Sequence, residues 1–203
     1  DVFVFLGDNM YSDTADPVEL RAAYAKLGVQ PGFQKLRKQT RVLATWDDHD
    51  YGTNDSGGDF PQKEMSKQTF LDFWGVPKDS PRRERDGVYH SEVFGPPGKR
   101  VQIILLDTRF NRSPLVFKDD PKDLIDGGRY QPVTDPAATM LGATQWAWFE
   151  DQLRVPAQIR IIGSSIEVVD EDYGGEKWAN FPLERKKLFE LLWRSTGSLF
   201  ISG

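Results

Sequence analysis

The sequence predicts an α/β domain, and three observations carry that prediction. Five apolar runs, at residues 2–6, 41–46, 101–106, 159–162 and 199–201, are continuous rather than alternating, as in strands buried on both faces. Helical patterns lie between several of them, so the strands connect by crossovers, which are right-handed by default. At 203 residues the chain is one domain, residues 1–203, long enough to enclose a sizeable core.

The elements follow in order. After the first run, Asp16-Pro17-Val18-Glu19 supplies a cap, a proline at the first helical position and an early acid, opening a helix to about Lys26. A short helix is expected over 33–38. Residues 62–74 form another, stopped by Gly75. The stretch 87–94 alternates, with Val88, His90, Glu92 and Phe94 on one side, and reads as a hairpin or edge strand. Residues 143–153 place Trp146, Phe149 and Leu153 at helical spacing, and 182–194 place Leu188, Leu191 and Leu192 on one face. Two loops, 54–61 and 111–138, are long and structurally quiet, as lids and substrate walls often are. The chain starts and stops inside apparent strands, Asp1-Val2-Phe3 and Phe200-Ile201-Ser202-Gly203, so it is expected to be an internal fragment, incomplete at both ends.

A net charge of −5, without a basic stripe interleaved with aromatics, argues against a bulk nucleic-acid surface. No apolar run reaches membrane-spanning length, and the absence of cysteine excludes disulfides and thiolate ligands in this segment.

The chemistry gathers where the runs end. Leu6 leads into Gly7-Asp8-Asn9-Met10-Tyr11, Trp46 into Asp47-Asp48-His49-Asp50, Leu106 into Asp107-Thr108-Arg109, and Ile162 into Gly163-Ser164-Ser165. Binding crevices of open α/β sheets form at the carboxyl ends of strands, so the four clusters are expected to converge. Three carboxylates beside one histidine repel one another unless a positive charge sits among them. Asp8, Tyr11 and Asp48 are hard oxygen donors suited to a hard cation, and His49 is a proton carrier. Arg109 is either a phosphate clamp or a partner of Asp107, whereas His90, away from any acidic cluster, reads as structural. The sequence has no Walker loop, dinucleotide fingerprint, HExxH or nucleophile elbow.

Gly7-Asp8-Asn9-Met10-Tyr11 resembles the GDxxY block of purple acid phosphatases, and Trp46-Asp47-Asp48-His49-Asp50 resembles the WDDHE/D block of the alkaline phosphatase D (PhoD) family within the calcineurin-like metallophosphoesterases. Leu106-Asp107-Thr108-Arg109, Leu141-Gly142-Ala143-Thr144-Gln145-Trp146, Gly163-Ser164-Ser165-Ile166 and Glu176-Lys177-Trp178-Ala179-Asn180-Phe181-Pro182 are similar to that family in the same order. The resemblance implies a sandwich of two stacked β-sheets flanked by helices, with a dinuclear or multinuclear centre of iron(III) and calcium. It implies that Asp8 bridges metals, Tyr11 binds iron(III), Asp48 is a ligand, and His49 and Arg109 act on a phosphate ester substrate. It also implies that Gly203 opens a further ligand loop, that an upstream ligand block is missing, that the fragment alone is inactive, and that the setting is periplasmic or secreted. The expected activity is hydrolysis of a phosphate mono- or diester by a metal-activated water. The alternatives are a non-catalytic phosphate- or metal-binding domain and a metal-dependent hydrolase of another substrate.

Overall fold

The computed structural model describes residues 1–118, 129–171, 174–195 and 197–202. Val2–Leu6 (β1) and Arg41–Thr45 (β2) pair in parallel, from Val2 opposite Arg41 to Leu6 opposite Thr45. Between them run Pro17–Gly28 (α1) and Pro31–Gln39 (α2), each with a proline at its start and basic residues in its last turn, which suits the helix dipole. The Asp16 side chain accepts from the Val18 N–H and caps α1, which continues one turn fraction past Lys26. The acid-rich block after β2 is a single helical turn, Asp48–Tyr51 (α3), capped by Asp47, and Lys63–Phe73 (α4) follows.

The second sheet begins with His90–Phe94 (β3), an edge strand antiparallel to Val101–Leu105 (β4) as the alternation implied. Beyond the expected quiet loop the chain differs: Val116–Phe117 (β5) pairs with Tyr130–Gln131 (β6), because even a two-residue ladder satisfies backbone groups that a loop leaves to water. Residues 119–128 of that loop lie outside the described residues. Gly142–Leu153 (α5) returns the chain to Ile159–Ser164 (β7), and Pro182–Arg194 (α6) to Ser198–Ser202 (β8). The order β3-β4-β7-β8 is parallel after its first pair.

Three apolar layers hold the molecule together. Leu43, Ile103 and Leu105, with Val4, Leu6 and Ile161, fill the space between the two sheets. Leu20, Trp46, Phe70 and Leu71 pack α1 and α4 on the first sheet, while Ile104, Ile162, Phe149 and Leu188 pack α5 and α6 on the second. In β4, odd-numbered Ile103 and Leu105 therefore face the first sheet and Ile104 faces the helices, which explains an uninterrupted apolar run. The result is a helix–sheet–sheet–helix sandwich. The sheets approach closely at their carboxyl ends: a Cβ on Gly163 would lie 2.6 Å from Leu6 Cδ2 and 2.8 Å from Leu105 Cδ2, so a larger residue there would displace both leucines.

Candidate metal centre

The ends of β1, β2, β4 and β7 open into one cavity of about 370 Å³, lined by Asp8, Asp48, His49, Arg109, Ser165 and Glu176 among others. The four polar clusters converge because parallel strands of adjoining sheets all discharge their loops on the same side. Gly7 turns β1 sharply, at φ +114°, and Asp8 follows in the left-handed region at φ +48°. That turn aims Asp8 into the cavity, where its Oδ1 is buried without a hydrogen-bond partner.

Asp8 Oδ2 accepts from the Tyr11 hydroxyl at 2.9 Å, and the Tyr11 ring lies over His49 with centroids 4.1 Å apart. The hydrogen bond to Asp8, followed by its charge, raises the Tyr11 pKa. His49 Nδ1 meets Asp13 Oδ1 at 2.5 Å, an arrangement that assigns the Nδ1 proton to the carboxylate side and leaves Nε2 for exchange. Burial lowers the His49 pKa, but the hydrogen bond to Asp13 and the charges of Asp48 and Asp8 outweigh it, and the net shift is upward.

Asp48 Oδ1 accepts from the His49 N–H at 3.0 Å and Oδ2 from the Asp55 N–H at 2.7 Å. Burial would raise its pKa; Arg109 and these two N–H groups overcome that and hold the carboxyl below its usual range. Asp47 behaves in the opposite way. Burial pushes it up to about 6 against the pull of Arg109, aided by the negative charges of Glu176 and Asp48. Asp50, wholly buried, accepts from the Asp47 N–H at 2.6 Å and from the Asn9 side chain, so it braces the strand end rather than facing the cavity.

Arg109 sits in the cavity wall but only 1% exposed. Its Nε and Nη2 hold Asp47 Oδ1 at 2.7 and 2.6 Å, and its Nη1 holds Glu176 Oε2 at 2.6 Å. Burial alone would lower its pKa; Asp47, Glu176 and Asp48 together raise it. The side chain of Asp107 does not pair with this guanidinium. It accepts instead from the backbone N–H groups of Arg109, Phe110 and Val88 at 2.9, 3.0 and 2.8 Å, fixing the turn after β4. Gln145 of α5 closes the same turn from the other side, donating to the Asp107 carbonyl and accepting from its N–H, both at 2.8 Å. His90 lies elsewhere, 2.9 Å from Glu92.

Among the described residues, two groups of side chains offer ligand atoms all within 4.8 Å of one another: Asp8, Asp48 and His49, and Asp48, Asp55 and Glu176. The first fits a metal ion. It includes an orphaned, buried carboxylate oxygen, Asp8 Oδ1, and the Tyr11 phenol adjoins it. In the second, positive charge is already present: Arg109 and Arg112 hold Glu176 at 2.6 and 2.8 Å, while Asp55 receives the Tyr130 hydroxyl at 2.6 Å.

Asp13 and Asp55 carry no signal in the sequence, and Glu176 opens a family-like block there without a chemical role. Asp13 and Asp55 adopt φ +46° and +56°, conformations that sequence does not announce, and Glu176 is placed by a chain reversal more than sixty residues from Arg109 in sequence. Gly203 lies outside the described residues.

The sequence model of the PhoD-like phosphatases matches residues 1–203. The chain belongs to the PhoD-like phosphatase family. A solved structure described as "Structure of PhoD" superimposes with a TM-score of 0.78 at 16% identity, covering 100% of this chain and 45% of that one. At that identity the likeness shows the fold, a PhoD-type sandwich, and this PhoD-like chain spans less than half of its solved relative. No curated protein matches the chain.

Proposed function

We propose that this PhoD-like chain supplies part of the active site of a metal-dependent phosphoesterase that hydrolyses phosphate mono- or diesters at a centre of two or more cations. The observation that carries the reading is the meeting of Asp8, with its unpartnered Oδ1, Asp48 and His49 in one cavity, with Tyr11 on Asp8. Asp8, Tyr11 and Asp48 would hold the metals; iron(III) suits the carboxylate and phenol, calcium the oxygens of Asp48. Such ions supply Lewis acidity, neutralising phosphoryl oxygens and making water a stronger acid near neutral pH.

The protein's own groups do the rest. His49, held by Asp13 at Nδ1 and with its pKa raised, carries at Nε2 the proton that the departing alkoxide needs. Arg109 acts from behind, pinning Asp47 and Glu176 and so the first turn of α3 that presents Asp48. A direct phosphate contact would require its guanidinium to leave one of them. The substrate's negative charge is met by cations, because the wall itself is rich in carboxylates. The family resemblance favours a periplasmic or extracellular setting.

The test uses the full-length protein. Adding iron and calcium to stripped protein should raise its melting temperature, and Asp8→Asn should diminish that rise and the bound metal. With metal retained, His49→Ala should lose about 10²-fold or more in turnover of p-nitrophenyl phosphate or its diester. Undiminished turnover removes His49 from the chemistry, and phosphate binding without turnover in the wild type replaces catalysis with a binding role.

A further inference from the structure

Away from the metal centre, near the start of β2, a cleft of about 380 Å³ lies between that strand, the turn after α4 and the edge strand β3. Its polar wall is unbalanced. Arg82, largely buried, donates from Nη2 to the Val88 carbonyl at 2.8 Å, but its Nε is buried without a partner and it forms no ion pair among the described residues. The nearby carboxylate, Glu92, is taken by Arg41, whose Nε lies at 3.0 Å, and by His90 at 2.9 Å.

Burial and then the like charges of Arg85, Arg41 and Arg83 push Arg82 down to about 10, opposed by Glu92 alone. Trp74 also lines the cleft, and its indole Nε1–H is buried and unpartnered. Buried donors without acceptors cost free energy, and a buried guanidinium lacking a counter-ion costs more. The apolar part of the wall includes Val42, Val76 and Pro77.

We propose that this cleft is a second ligand site, taking a small anion whose single oxyanion head, carboxylate or phosphate, meets Arg82 and the Trp74 indole while an apolar body lies along Val42, Val76 and Pro77. The inference is independent of the metal-centre reading. Arg82 supplies the charge, the indole N–H supplies direction, and the apolar wall favours an organic anion over a fully hydrated one.

The experiment titrates the full-length, metal-bound protein with benzoate and, separately, with inorganic phosphate, following the Trp74 indole N–H signal by NMR. A saturable shift with a dissociation constant of about 1 mM or lower is expected for benzoate. A response to phosphate as well identifies a general oxyanion site; a response to benzoate alone identifies a carboxylate site, and both support the proposal. Arg82→Gln should weaken binding about tenfold or more, and Glu92→Gln, which removes the opposing charge, should tighten it several-fold. Turnover at the metal centre should be unchanged by benzoate. No saturable shift with either anion, binding undiminished in folded Arg82→Gln, or weaker binding in Glu92→Gln overturns the proposal. Should Arg82→Gln fail to fold, the direction of the Glu92→Gln effect decides.

Discussion

Replacing Arg109 by methionine removes the cation that, among the described residues, touches both Asp47 and Glu176, and its cost can be worked from the contacts. Both carboxylates are largely buried, with side chains 16% and 7% exposed, and the guanidinium reaches them at 2.6 Å. Glu176 keeps Arg112 at 2.8 Å, so the principal loss is the partner of Asp47. Leaving one buried charge unpaired costs about 3–5 kcal/mol, which for a domain of this size lowers the melting temperature by roughly 6–20 °C. The cost should depend on pH in a definite sense. Asp47 already stands at about 6, above its ordinary 3.8, and without Arg109 it rises further. A carboxyl raised in the folded state favours folding at low pH and loses that advantage as pH rises through its folded pKa. Calorimetric melts of metal-free wild type and Arg109→Met should therefore differ more at pH 7.5 than at pH 5. A difference below about 1 kcal/mol, or one that is equal at the two pH values, would refute the claim that Arg109 serves mainly to balance these carboxylates.

Asp13→Asn tests the imidazole's support. The raised His49 pKa should fall when its titration is followed by NMR in metal-free protein, because the hydrogen bond and charge that raise it are removed. The stability that charged His49 contributes below 6.5, lost in the wild type as pH rises through the folded pKa, should shrink in the variant while stability at high pH changes less; an unmoved titration contradicts the Asp13 pairing. Gly7→Ala would put a Cβ 2.6 Å from that of Asp47 and 2.9 Å from that of Ser165, at φ +114°. The expected loss is about 2 kcal/mol or more together with weakened metal binding, and wild-type melting with full metal content would show that the turn can give.

Much of the fold is legible in the chain because its signals are local. The Asp16 cap with Pro17 behind it and the continuous apolar strands each act within a few residues and place their elements, whereas the second helix, expected over 33–38, starts earlier, at Pro31, whose fixed φ suits a first helical position. β7 extends further than its apolar run suggests, through Gly163 and Ser164, because a ladder continues wherever backbone groups find a partner, while β2 and β4 stop one residue short of theirs. The two-stranded β5–β6 ladder had no such run to announce it.

The sequence by itself determined the residue types and their order: oxygen donors and an imidazole placed just after buried strands, and an arginine following the strand that precedes a third cluster. Only the tertiary structure decided the company those residues keep. It gave Arg109 to Asp47 and Glu176 rather than to Asp107, and His49 to Asp13, thirty-six residues away. It also left Asp8 Oδ1 without a partner in the candidate metal centre and Arg82 Nε without one in the distant cleft. The physical reason is that periodicity and capping are properties of neighbours along the chain, whereas charge compensation and desolvation depend on which groups the packed sheets bring within a few ångströms.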